Sequence, residues 1–72
     1  MDQAVYEIRI ESHLAPRRFR EFEDLTVTQD PNGETVLMGV FPDQSALHGL
    51  LNWLHNLGAT LVAVRRLEGT GE

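Results

Sequence analysis

The sequence contains no cysteine. Disulfides, thiolate metal sites, iron–sulfur clusters and cysteine nucleophiles are therefore excluded. Aromatic residues are few, at 7%. No apolar run approaches the roughly 18–20 residues that span a bilayer, and the N-terminus lacks the apolar core of a signal peptide. Positive charge is scarce: six Lys+Arg stand against eleven Asp+Glu, a formal charge of -5, with pI near 5.0. That balance repels phosphate backbones, so neither nucleic acid nor a membrane is an expected partner. Glycine-rich phosphate loops and the H-E-x-x-H pattern are missing, and neither Ser12 nor Ser45 sits in a nucleophile elbow.

What is present fits a soluble globular chain, expected in the cytoplasm. Hydrophobic residues make up 42% and charged residues 24%, which argues against disorder. With 72 residues the expectation is a single domain over residues 1–72, too short for a doubly wound nucleotide fold or a barrel. Such a chain is marginal. Domains near 60 residues bury only about 60% of the surface exposed in the unfolded chain. Without disulfides or metal, small scaffolds often rely on association.

Ala4 to Ile10 alternates, with Ala4, Tyr6, Ile8 and Ile10 on one face and Val5, Glu7 and Arg9 on the other; this reads as a half-buried strand. Pro16 to Phe22 reads as about two helical turns, opened by proline and carrying Phe19 and Phe22 on one face. Leu25 to Gln29 and Glu34 to Phe41 form a hairpin around Asp30-Pro31-Asn32-Gly33, a type I turn with a glycine bulge. Its register pairs Val27 with Leu37, Leu25 with Gly39, Thr28 with Val36, and Thr26 with Met38. Asp43 is a good N-cap for a main helix from Gln44 to Leu57, striped by Leu47, Leu50, Leu51, Leu54 and Leu57 and stopped by Gly58. Ala59 to Leu67 reads as a last strand, apolar on both faces around Leu61-Val62-Ala63-Val64.

The order β-α-β-β-α-β predicts an α+β, ferredoxin-like fold. It has a four-stranded antiparallel sheet ordered 4-1-3-2, helices on one face and a truncated first helix. One full helix and one stub leave a surplus of apolar surface. One hairpin face offers Leu25, Val27, Leu37 and Phe41; the other offers Val36, Met38 and Val40 beside Thr26 and Thr28. The alternative to a contact surface is a wet, mildly apolar sheet face. Extended apolar patches are uncommon on monomers, so Val36, Met38, Val40, Trp53, Val62 and Val64 are candidate interface residues. The expected partner is a second copy of the chain, as a dimer, or another protein.

Gln44, His48 and His55 are candidate ligand-binding residues along one stripe of the main helix. The alternative is a solvated helix flank. Seven residues separate the two histidines, about 10.5 Å of helical rise, so they cannot share a metal. His13 has no partner at a recognisable spacing. Arg17, Arg18 and Arg20, and Arg65 with Arg66, could hold an anion by bidentate hydrogen bonds or form local ion pairs. No cofactor is expected, and no group of residues names a reaction.

The stretch Gly39-Val40-Phe41-Pro42-Asp43-Gln44-Ser45-Ala46-Leu47-His48-Gly49-Leu50-Leu51, together with Leu57-Gly58 and Leu61-Val62-Ala63-Val64-Arg65-Arg66, resembles a group of short, uncharacterised bacterial proteins. These carry a DQ-x-ALHGLL helix start and an LG-x-x-L-x-x-V-x-R ending. Tyr6-Glu7-Ile8-Arg9, Leu25-Thr26-Val27-Thr28 and Gly33-Glu34-Thr35-Val36-Leu37 are similar too. The resemblance implies a stand-alone bacterial protein and supplies no catalytic residues. In fold order alone, the second half also resembles an ACT-type regulatory domain. Three readings follow: a homo-oligomeric binding or interaction module; an ACT-like sensor with a ligand at a subunit junction; and a small dimeric enzyme using His48 in a cleft.

Overall fold

In the computed structural model, residues 4–22 and 24–69 are described. Strands β1 (Ala4–Glu11), β2 (Leu25–Gln29), β3 (Glu34–Phe41) and β4 (Leu61–Gly69) form one sheet, and α1 (Gln44–Leu57) covers one face. The sheet order is β2-β3-β1-β4, with every neighbouring pair antiparallel. This is the ferredoxin-like order expected from the sequence, read from the other edge.

Alternation decides the faces. Ala4, Tyr6, Ile8 and Ile10 are buried under α1, joined by Leu37 and Phe41 from β3 and by Leu47, Leu50 and Leu54 from α1. The hairpin register has the four pairs predicted above. Asp30 N–H donates to the Glu34 carbonyl at 2.8 Å and Gly33 N–H to the Asp30 carbonyl at 2.9 Å. Gly33 takes φ 92°, a conformation that glycine adopts at no steric cost.

The helix is bounded as its sequence demands. Asp43 Oδ1 accepts from Ala46 N–H at 2.9 Å. At the other end Gly58, at φ 91°, donates to His55, and Ala59 N–H donates to the Leu54 carbonyl at 3.1 Å. That is a Schellman stop. The buried line of the stripe is Leu47, Leu50 and Leu54, with Leu51 only half-buried. Leu57 lies in a last turn exposed throughout, His55 to Gly58.

The first crossover differs from the two-turn helix expected. It holds one 3-10 turn, Pro16–Phe19. Phe19 ends the turn, and Phe22 follows it with its N–H donating to the Phe19 carbonyl at 2.9 Å. Both rings meet Trp53 edge-on, at centroid distances of 5.4 and 5.1 Å. Phe19 thereby enters the core.

A buried hydroxyl holds the start of this crossover. Thr35 on β3 is fully buried beneath the helix layer. Its Oγ1 donates to the Ser12 carbonyl at 2.6 Å and accepts from Leu14 N–H at 2.8 Å. Gln29 Nε2 adds a bond to the Leu14 carbonyl at 3.1 Å. Ser12 carries φ 137°, uncommon for a residue with a Cβ.

Two predictions follow from this core. Leu50→Ala should cost about 2–5 kcal/mol, and Leu51→Ala clearly less, in paired urea denaturation curves. Thr35→Val keeps the shape but strands two backbone groups. It should cost about 1–3 kcal/mol, with proteolysis in the Ser12–Leu14 segment as the local readout.

Candidate functional site

The face of the sheet away from α1 is built by the other half of each alternating strand. Glu7 and Arg9 of β1 stand beside Val36 and Met38 of β3 and Arg65 of β4. Glu7 is 8% exposed although no helix covers it. Arg65 donates to Glu7 Oε1 through Nε at 3.1 Å and Nη2 at 3.0 Å. Arg9 Nη2 lies 3.7 Å from Glu7 Oε2. The same arginine's Nη1 reaches Asp30 at 2.9 Å and Glu34 at 3.0 Å across the hairpin. Two guanidinium groups thus meet three carboxylates in one chain of contacts. Hydrogen bonding to Asp30, then to Glu34, pushes Arg9 above an ordinary arginine. The Asn32 backbone N–H, then Arg9, hold the Asp30 carboxyl below its ordinary value.

Beside this network the face is apolar. Met38 is 37% and Val40 44% exposed; Val36 and Val5 are half-buried. Val64 is opposite Ile8 and packs on the core, so it belongs to the helix side. Val62 is exposed where the β1–β4 register shifts. Trp53 is half-buried between Phe19 and Phe22, away from the open face.

On the helix side a groove of about 460 Å³ runs between α1 and the residues Phe22, Asp24 and Leu25. A smaller hollow of about 180 Å³ lies at the far end of α1, bordered by Leu51, His55 and Leu61. The three helix residues marked for ligand binding reach different surroundings. Gln44 Nε2 donates to the Tyr6 hydroxyl at 2.9 Å. His48 is exposed and lines neither hollow. His55 borders the smaller one. His13 Nε2 donates to the Asp30 carbonyl at 3.1 Å, which ties the crossover to the hairpin turn. Arg17, Arg18, Arg20 and Arg66 are exposed. Among the described residues, no group of three or more His, Asp or Glu is placed to hold a metal ion. No helix among them is long and apolar enough to cross a membrane.

Sequence reasoning missed Glu7 and Arg9 as the centre of a charge network. The signal was present: they alternate with Tyr6, Ile8 and Ile10, so they had to share the opposite face. Their partners lie on other strands, which local patterns do not reveal.

A family model described as a domain of unknown function, DUF8691, matches residues 5–65. No curated protein and no solved structure matches the chain.

The network generates a titration prediction. A carboxyl held low in the folded chain adds stability above its unfolded value and loses it as pH falls through the folded value. The Asp30 carboxyl carbon should therefore titrate by NMR with a midpoint below 3.8, its ordinary value. Arg9→Ala should raise that midpoint only part of the way, because the Asn32 N–H remains.

Proposed function

This chain belongs to the DUF8691 family, and we propose that it works as a small self-associating interaction module whose contact surface is the open sheet face. One observation carries the reading: exposed Met38 and Val40 lie beside a charge network already paired within the chain. Covering ionised groups without partners is costly. Here each guanidinium and carboxylate of the network has a partner before any second copy arrives. Such a face can be covered without leaving an orphaned charge, while the apolar residues beside it supply the gain.

The sheet edge is the weaker surface for association. Leu61 and Val62 on β4 are exposed, but two register shifts interrupt the β1–β4 ladder. Bulges of this kind twist an edge strand away from an incoming partner. The binding reading is further supported by His48, on which a cleft enzyme would turn, standing exposed outside both hollows.

Light scattering on the eluting protein at micromolar concentration should give a multiple of 8.1 kDa. Met38→Glu puts an unpaired charge into the proposed contact and should return the mass to that of one chain, with the circular dichroism spectrum unchanged. A wild-type mass of one chain across that range would end the reading.

A further inference from the structure

We infer that the groove between α1 and the residues Phe22, Asp24 and Leu25 is a binding site for a small aromatic ammonium compound. The groove lies on the helix side of the sheet and shares Val40 at its rim with the open face.

The groove follows from the shortened crossover. A full helix between β1 and β2 would lie over this part of the sheet; the 3-10 turn Pro16–Phe19 does not reach it. Leu25, Phe41, Ala46, Leu50 and Trp53 are left lining a volume of about 460 Å³, within the range of small-molecule sites. On the helix, Gly49 lines the groove, and a side chain there would start in open space, with nothing within 4 Å of its Cβ. The aromatic wall is fixed in advance. Trp53 is gripped edge-on by both Phe19 and Phe22, at 64° to each ring, so little ordering remains for a ligand to impose.

Charge then selects the ligand class. Among the described residues, Asp24 is the one ionisable residue lining the groove. Among the described residues it makes no salt bridge. The whole chain carries -5, which disfavours an anion. An ammonium group gains from the negative charge of Asp24 at the groove wall, and an aromatic body from the apolar lining around Phe22 and Trp53. Backbone polar groups are at hand as well. The β2–β3 pairing ends at Leu25 and Gly39, so Val40 and Phe41, which border the groove, have no strand on that side.

Trp53 is the single tryptophan of the sequence, so its emission reports on the groove directly. The test titrates the full chain with 2-phenylethylammonium, 2-phenylethanol and 3-phenylpropionate, reading Trp53 fluorescence and backbone amide shifts. The ammonium compound should give a saturable response, with amide shifts at Leu25, Ala46 and Gly49. It should bind about tenfold more tightly than the carboxylate. Asp24→Asn should bring the ammonium compound close to the neutral alcohol. Gly49→Leu fills the groove and should abolish all three responses, with circular dichroism unchanged; should that variant not fold, the wild-type amide map and Asp24→Asn decide alone. A wild-type chain that does not saturate with the ammonium compound overturns the site. So does equal affinity for the carboxylate, or amide shifts clustered elsewhere. If Trp53 emission changes on dilution without ligand, and Gly49→Leu disperses an assembly, a second copy occupies the groove and the inference fails. Met38→Glu distinguishes the two surfaces: it should leave ammonium binding unchanged, whatever it does to the mass.

Discussion

The buried hydroxyl of Thr35 is the contact on which the arrangement of the helix layer depends. The chain leaves β1 at Glu11 and must turn at once, since no helix follows to carry it across the sheet. Turning there takes backbone groups out of the strand ladder. Thr35 answers two of them, donating to Ser12 and accepting from Leu14. A valine of the same shape would bury as much apolar area and satisfy neither. With Ser12 and Leu14 fixed, the 3-10 turn that follows packs beside β2, and Phe19 reaches the core. The short crossover, the Trp53 cluster and the groove are consequences of that one anchored turn.

The other face is organised by charge. Arg65 joins β4 to Glu7 of β1, and Arg9 joins β1 to Asp30 and Glu34 around the hairpin. The contacts therefore run across the strands, where backbone ladders already act, and tie the hairpin turn to the centre of the sheet. They need not add much stability. Exposed ion pairs contribute about 0–1 kcal/mol each, and Arg65 is largely exposed. Their effect is one of placement: Glu7 stays covered and paired on a face that no helix protects.

Much of this was legible in the sequence, for reasons that can be located. The hairpin register follows from Asp30-Pro31-Asn32-Gly33, because loop length fixes which residues pair. The helix bounds follow from Asp43 and Gly58, each satisfying or releasing specific backbone groups. Strand order follows from the sequence of elements and the handedness of crossovers. The first crossover was misjudged because Pro16, Phe19 and Phe22 fit both an α-helix and a 3-10 turn at three-residue spacing. Thr35 gave no warning, since a buried threonine in a strand looks like any β-branched residue until its hydroxyl has partners. Glu7 and Arg65, 58 positions apart, meet only once β4 lies beside β1. The groove is harder still, being the space left by a helix that is not there.

Gly39 connects the two faces. It lies on the helix side of β3, opposite both Tyr6 and Leu25. A Cβ at Gly39 would come within 2.9 Å of Leu25 Cδ2 and 3.0 Å of the Asp24 carbonyl. The missing side chain lets Leu25 settle over β3, and with it the start of β2. Leu25 and Asp24 then line the groove, while Thr26, next along the strand, pairs with Met38 on the open face. Displacing Leu25 to make room at position 39 would move the carboxylate that selects a ligand and the strand that flanks the exposed methionine. In a sheet with one layer of helix, a single close approach between neighbouring strands sets the geometry of both surfaces.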